Sequence, residues 1–187
     1  LGASMGEAVC GKKLGNKALL LGAVAGTIPD LDVLASPFLD TVQELTFHRS
    51  FSHSVFFAPI GAWLFTLLFW KIFDWKSITK TDLFKLFFWG FLTHVLLDTC
   101  TTWGTQLLWP FSTYGFALYN VFVVDPFYTL PFLMLLVAIL FLHKENLWRG
   151  KLNWMGISLS TSYLLLGLIF QHNAKSIFKE NLVKNNM

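Results

Sequence analysis

Three short polar motifs interrupt an otherwise apolar chain, and their residue types are those that bind divalent metals. They are IPDLDVL at 28–34, FHRSFSHS at 47–54 and HVLLD at 94–98. An ionisable side chain near hydrocarbon is costly unless it is paired or binds a cation, so such residues in apolar segments indicate a functional site. The side chains that these motifs offer as ligands are Asp30, Asp32, His48, His53, His94 and Asp98.

The spacing inside two of the motifs predicts which side chains meet. His94 and Asp98 are four residues apart, so a helix places both on one face. Asp30 and Asp32 follow a proline that ends a helix, and an extended segment would point both carboxylates to the same side. The structural alternatives are a hydrogen-bonded His–Asp pair and a helix-ending turn with solvated aspartates.

The histidine motif places an arginine between its two candidate ligands. His48 and His53 are five residues apart, so they converge only if His48 lies in a loop and His53 at or near the start of a helix. Arg49 between them is a candidate catalytic residue, because a guanidinium holds a phosphate group by two parallel hydrogen bonds. A polar helix start at the membrane interface is the structural alternative.

The mixture of carboxylate oxygen and imidazole nitrogen favours Zn²⁺, with Mn²⁺ or Fe²⁺ less favoured. Six candidate ligands exceed the three or four of one catalytic zinc ion, which is consistent with two or more ions bridged by Asp30 or Asp32. Glu7 is a further candidate ligand, and snorkelling or pairing with a lysine are its alternatives. Asp125 is a further candidate catalytic residue, although an Asp before Pro is commonly a helix N-cap.

The composition indicates an integral membrane protein. Of 187 residues, 55% are hydrophobic and 13% are charged, against about a quarter charged in soluble domains. The net charge of +3 gives no indication of a nucleic-acid partner. Cys10 and Cys100 have no metal-ligand spacing, and we expect no disulfide between them. No basic segment precedes the first apolar stretch, so we expect no cleavable signal and a truncated or processed start.

The apolar segments that must position these residues predict six helices and no strand. They are 2–10, 18–28, 55–73, 83–97, 127–142 and 152–170, separated by two long connections at 29–52 and 99–125. Lysine and arginine collect in the other three connections, which indicates that these face the cytoplasm. The predicted fold is therefore a single all-α, polytopic membrane helix bundle, residues 1–187, with the two long loops and the polar motifs facing outward.

Four longer motifs carry a resemblance to a known family. GAVAGTIPDLD, HRSFSHS, HVLLDTCTTWGTQLLWPFS and VVDPFYTLP occur in this order and span nearly the whole chain. In this arrangement the chain resembles the YdjM-like family of inner-membrane metal-dependent hydrolases, which is distantly similar to zinc-dependent phospholipase C and the single-strand-specific zinc nucleases. The resemblance implies a bacterial inner-membrane location and an all-helical zinc site in which His94 and Asp98 match an H-x-x-x-D element. Many members carry a histidine near the N-terminus, whereas this chain has none before His48; either Glu7 is its substitute or the segment that carries it is missing from this chain.

These observations together predict a membrane-bound, metal-dependent hydrolase that acts on a phosphoester of a lipid or lipid-linked substrate. The metal would supply hydroxide at neutral pH, and Arg49 would hold the phosphate. The alternatives are a metal-binding membrane transporter, which would place ionisable residues nearer the membrane midplane, and a non-catalytic membrane protein with a structural metal.

Overall fold

Six α-helices and two 3₁₀ segments form the computed structural model, with no β-strand in residues 1–40, 43, 47 and 49–184, which the structure describes. The helices are α1 (Gly2–Leu14), α2 (Asn16–Thr27), α3 (Phe57–Ile72), α4 (Lys80–Thr99), α5 (Pro126–Leu140) and α6 (Leu147–Lys184). The 3₁₀ segments are Ile28–Phe38, which continues from α2, and Phe51–His53, which precedes α3. The predicted all-α fold with about six helices is confirmed.

Glycines allow α1 and α2 to pack with their backbones in contact. A Cβ atom on Gly6 would overlap the carbonyl oxygen of Ala18, and one on Gly2 would lie 2.8 Å from the Cα atom of Gly26. Gly15 makes the turn between the helices with a φ of 58°, in the left-handed region that glycine adopts readily. This tight hairpin fixes the end of α2, from which the first polar motif continues.

The central helix is α4, which packs against α1, α2 and α3. Its Phe87 and Phe91 side chains are fully buried, and the Phe91 ring lies 5.3 Å from that of Phe57 at the start of α3. On its other side α4 approaches α2 closely at Gly90, where a Cβ atom would lie 2.7 Å from the Cβ atom of Ala25. The ends of α2 and α4 and the start of α3 are thereby held together.

Several boundaries differ from the predicted ones because polar residues extend the helices. α4 begins three residues earlier than predicted, since Thr79 and Asp82 form a capping box: Asp82 N donates to Thr79 Oγ1 at 3.2 Å, and Thr79 N donates to Asp82 Oδ2 at 2.9 Å. α6 continues through its polar flanks to 38 residues, because lysine, glutamate and glutamine are good helix formers. The connection after α2 is coiled into 3₁₀ turns where we expected an extended segment.

Two segments of the described chain are long and apolar enough to cross a bilayer. They are Asn16–Phe38 and Leu147–Leu182, with mean hydropathies of 1.6 and 1.3. The helices α3 and α5 are apolar but shorter. They expose large hydrophobic side chains such as Trp63 and Phe127, as a surface that faces lipid does.

The lysine-rich connections lie together at one end of the bundle. Lys13 Nζ lies 2.6 Å from Asp82 Oδ2 at the start of α4, and Asn16 Nδ2 donates to the Leu140 carbonyl at the end of α5 at 2.9 Å. The 20 residues of α4 rise about 30 Å from this basic end to Asp98. The polar motifs therefore meet at the opposite end of the bundle.

Candidate metal centre

Four predicted ligands from three separate elements converge at that opposite end. Ligand atoms of Asp30, His53, His94 and Asp98 all lie within 4.8 Å of one another. Asp30 lies in the 3₁₀ segment after α2, and His53 ends the short 3₁₀ turn before α3. His94 and Asp98 lie one turn apart on α4, as their spacing predicted.

Five of the six distances between these ligand atoms are close to those of a tetrahedral metal site, and all six are within 4.8 Å. His53 Nε2 lies 3.3 Å from each of three atoms: His94 Nε2, Asp30 Oδ1 and Asp98 Oδ2. His94 Nε2 lies 3.4 Å from Asp30 Oδ1 and 3.6 Å from Asp98 Oδ2. A tetrahedral zinc ion with bonds of about 2.0–2.1 Å separates its ligand atoms by about 3.3–3.4 Å. The four side chains are therefore spaced to bind one such ion.

Burial within the group is uneven. The His53 side chain is fully buried, whereas half of the Asp30 side chain is exposed. Asp98 Oδ2 is buried among three nitrogens, with His53 Nε2 at 3.3 Å, His94 Nε2 at 3.6 Å and Arg49 Nε at 3.9 Å. A buried carboxylate oxygen is unfavourable unless a donor or a cation lies beside it. The group is consequently suited to an ion that solvent approaches on the side of Asp30.

Asp32 takes a different position from the one that an extended segment would give it. In 3₁₀ turns residues two apart lie on different faces, so Asp30 and Asp32 reach opposite nitrogens of the same ring. Asp32 Oδ2 lies 3.5 Å from His53 Nδ1, and Ser52 Oγ lies 3.0 Å from that nitrogen and donates to Asp32 Oδ2 at 2.8 Å. Such a carboxylate–histidine arrangement orients a metal-binding imidazole through its second nitrogen.

The three carboxylates determine the protonation of His53. Burial disfavours its charged form, but hydrogen bonds with Asp30, Asp32 and Asp98 outweigh burial and raise the pKa of His53 to about 10. The ring therefore carries a proton in the metal-free site and offsets part of the carboxylate charge. Because metals bind neutral imidazole, a bound cation would replace this proton.

Arg49 lies beside the group and is held in an unusual conformation. Its backbone φ is 64°, a value that residues other than glycine rarely adopt. Its backbone N–H donates to Asp32 Oδ2 at 3.4 Å, and its backbone carbonyl accepts from Gln106 N at 3.0 Å. Its guanidinium donates from Nη1 to Thr101 Oγ1 at 3.0 Å, and Nε lies 3.9 Å from Asp98 Oδ2. The guanidinium is thus adjacent to the ligands.

The structure does not bring Glu7 into the group. Its two oxygens accept from Nε and Nη2 of Arg149 at 2.7 and 2.8 Å, in a buried ion pair between α1 and α6. The partner is an arginine, where we considered a lysine. Both residues lie on the side of the lysine-rich connections.

Asp125 also has its partners elsewhere. Its Oδ1 accepts from the backbone N–H groups of Phe127 and Tyr128, as an N-cap of α5, and its Oδ2 accepts from Tyr163 Oη at 2.9 Å. His48 lies outside the residues that the structure describes, and a second ion that depends on it stays a prediction.

Two supporting residues were not singled out in the sequence. Ser52 links Asp32 to His53, and Thr101 accepts from Arg49 while its hydroxyl donates to the Asp98 carbonyl at 2.7 Å. Ser52 directly precedes His53, and Thr101 follows Asp98 by three residues, so adjacency to a candidate ligand was the available signal.

Comparisons with known proteins point to one family. The model of the YdjM inner membrane protein family matches residues 1–174. A curated relative, the inner membrane protein YbcI of Escherichia coli (strain K12), is 32% identical over 144 residues, which cover 71% of this chain and 76% of the relative. No solved structure matches the chain. From the extent of these matches, the chain belongs to the YdjM inner membrane protein family.

Proposed function

We propose that this protein is a membrane-bound, metal-dependent hydrolase that cleaves a phosphoester in a lipid or lipid-linked substrate. The observation that carries the proposal is the near-tetrahedral spacing of ligand atoms in Asp30, His53, His94 and Asp98. Two imidazoles and two carboxylates suit Zn²⁺ best, and Mn²⁺ or Fe²⁺ less well.

A bound ion would lower the pKa of a coordinated water toward 7 and so supply hydroxide at neutral pH. The chain's own contribution is to orient the ligands and leave one side open. Asp32 and Ser52 hold His53 Nδ1, which directs Nε2 toward the other ligands. Asp30 is half exposed, so water and substrate approach on that side.

Arg49 is positioned to bind the phosphate group. Its Nη1 is held by Thr101, whereas Nη2 donates to none of the described residues. A planar guanidinium next to a metal site stabilises negative charge on phosphoryl oxygens during attack. Arg49 would therefore contact substrate and leave the metal shell to the four ligands.

The surroundings of the site support a lipid substrate. Large aromatic side chains are exposed in the 3₁₀ segment after α2 and in the 99–125 connection, and they are Phe38, Trp103, Phe111, Tyr114 and Phe122. Trp103 and Tyr114 carry the amphipathic rings that favour the interfacial region of a membrane. A site at that depth is within reach of a lipid headgroup.

The test is turnover of phosphoester lipids by the purified, zinc-loaded protein. We expect Arg49→Ala to keep its metal and to lose roughly 10²–10³-fold in turnover, as removal of one transition-state contact does. Lys85→Ala changes an exposed cation at the basic end and is the matched control. Normal turnover of a true substrate by Arg49→Ala would remove this role from Arg49.

A structural metal is the second candidate, and one observation favours it. Four protein ligands complete the tetrahedral shell of zinc, as in structural sites, whereas catalytic sites keep a position for water. Full metal occupancy without turnover of any phosphoester, together with unfolding on chelation, would support this alternative over the hydrolase.

A further inference from the structure

A cavity of about 990 Å³ opens at the basic end of the bundle, away from the metal centre. Its wall is formed by the second half of α1, the 144–146 connection and the first two turns of α6. Asp30, His53, His94 and Asp98 do not line it, so its role is separate from the proposed hydrolysis.

Cationic side chains dominate the wall of this cavity. It has two acidic residues, Glu7 and Glu145, and five basic ones, which are Lys12, Lys13, Lys144, Arg149 and Lys151. Glu7 offsets Arg149, and Lys13 pairs with Asp82. Within the described chain Lys12 and Lys144 have no ion-pair partner, and Lys151 lies 4.9 Å over the Trp148 ring. The cavity therefore retains a positive charge for an anionic ligand.

The floor of the cavity is a fixed polar layer. Arg149 is only 2% exposed, and besides Glu7 it donates to Asn16 Oδ1 at 2.8 Å and to the Leu142 carbonyl at 2.8 Å. Asn153 beside it donates to the Ser4 carbonyl at 3.1 Å and accepts from Ser4 Oγ at 2.6 Å. These hydrogen bonds hold α1 and α6 together, so the helices that carry the lysines have fixed relative positions.

The apolar surroundings of the cavity favour a lipid over a soluble ligand. Trp148 and Trp154 are each 61% exposed beside it, and exposed tryptophans favour the membrane interface. Val9 and Ala8 supply an apolar part of the wall. We propose that this cavity binds the phosphate headgroup of an anionic phospholipid, as basic pockets between membrane helices do. A soluble organic phosphate shares the phosphate chemistry and is distinguished in the test.

Native mass spectrometry of the detergent-solubilised protein tests the proposal with phosphatidylglycerol and phosphatidylcholine as probes. We expect wild-type protein to retain one phosphatidylglycerol in preference to phosphatidylcholine. The double variant Lys12→Gln/Lys144→Gln should bind it about 30-fold more weakly, since each lysine near an anionic group contributes about a factor of five. Lys71→Gln/Lys85→Gln removes two exposed lysines outside the cavity and should bind it normally.

A second variant tests the cavity without changing its charge. Gly150 lines the cavity, and a Cβ atom there meets nothing within 4 Å, so Gly150→Phe fills the space while the helix is retained. Loss of phosphatidylglycerol in this variant supports the assignment.

Equal retention of the two lipids by wild type, or equal binding by the two double variants, would overturn the assignment. Glycerol phosphate that binds as tightly as the lipid would show a soluble ligand and overturn the lipid assignment.

Discussion

Asp98 allows the most direct test of the metal centre at the scale of single residues. Its Oδ2 is buried 3.3 Å from His53 Nε2, so removing it takes away a candidate ligand and, in the metal-free site, one of the three carboxylates around the His53 ring. We expect Asp98→Ala, and likewise His94→Ala, to lower zinc affinity by more than roughly 100-fold. Loss of a residue that only hydrogen-bonds to a ligand lowers metal affinity by roughly 10–100-fold, and loss of the ligand itself should lower it further. Metal content by mass spectrometry of the purified protein measures this.

Asp74→Ala is the control for these two variants, because that carboxylate is exposed in the α3–α4 connection. It should retain the wild-type amount of metal. If Asp98→Ala and His94→Ala both retain it as well, the four side chains do not form a metal site.

Metal binding should strengthen as pH rises. The raised pKa of His53, about 10, means that the metal-free ring is protonated at pH 7–8 and must lose this proton to bind an ion. Affinity is therefore expected to rise up to tenfold per pH unit below 10. The stability of the metal-free protein depends on pH in the opposite direction. Protonated His53 stabilises the fold fully below its unfolded pKa of about 6.5, and this contribution declines as pH rises toward the folded pKa of about 10.

Calorimetry in two buffers of different ionisation enthalpy measures the proton that zinc displaces. We expect about one proton released at pH 7.5, and His53→Ala should release none from this position. Zinc binding without proton release would contradict the assignment of His53 as a protonated ligand of the metal-free site.

At the scale of helices, the contact between α2 and α4 sets the distance between Asp30 and His94. A Cβ atom on Gly90 would lie 2.7 Å from that of Ala25, so Gly90→Ala must move the helices apart. We expect a lower thermal midpoint, corresponding to about 1–3 kcal/mol, and weaker zinc binding, because His94 lies one turn beyond the contact. Unfolding in detergent and zinc titration measure the two effects.

A compensating change separates this contact from a general effect of removing a glycine. Ala25→Gly combined with Gly90→Ala removes the overlap and should restore most of both properties. Gly150→Ala is the control in α6, where a Cβ atom meets nothing within 4 Å and alanine favours the helix. Equal zinc affinity in wild type and Gly90→Ala would show that this contact does not position the site.

At the scale of the whole molecule, the positions of the basic connections predict which side of the membrane carries the metal centre. They lie together at one end, and short basic loops remain in the cytoplasm, so the opposite end should face outward. In a variant in which the free thiols of Cys10 and Cys100 are removed, we place single cysteines at Thr113 and, separately, at Ser77. Both positions are exposed and lie near opposite ends.

A membrane-impermeant thiol reagent added to intact cells should label Thr113→Cys and spare Ser77→Cys. Both should react after the membrane is permeabilised, which controls for accessibility. The reverse pattern would place the metal centre in the cytoplasm and expose it to a different pool of lipids, while the ligand geometry would be unaffected.

The sequence by itself determined the features that depend on local periodicity. His94 and Asp98 share a helix face because they are four residues apart, and the apolar segments predicted six helices and no strand. The excess of apolar residues indicated a membrane protein, in agreement with the family to which the chain belongs. Each of these depends on residues within a few turns or on the composition as a whole.

Only the tertiary structure decided which distant side chains meet. Asp30 and Asp32 hold the two nitrogens of His53 because the chain after α2 coils into 3₁₀ turns. Glu7 pairs with Arg149, 142 residues away, and so lies outside the group of ligands that the sequence had proposed for it. Helix packing sets such long-range distances. It depends on close contacts such as that between Gly90 and Ala25, which cannot be predicted from the local hydrophobic pattern that indicates helices.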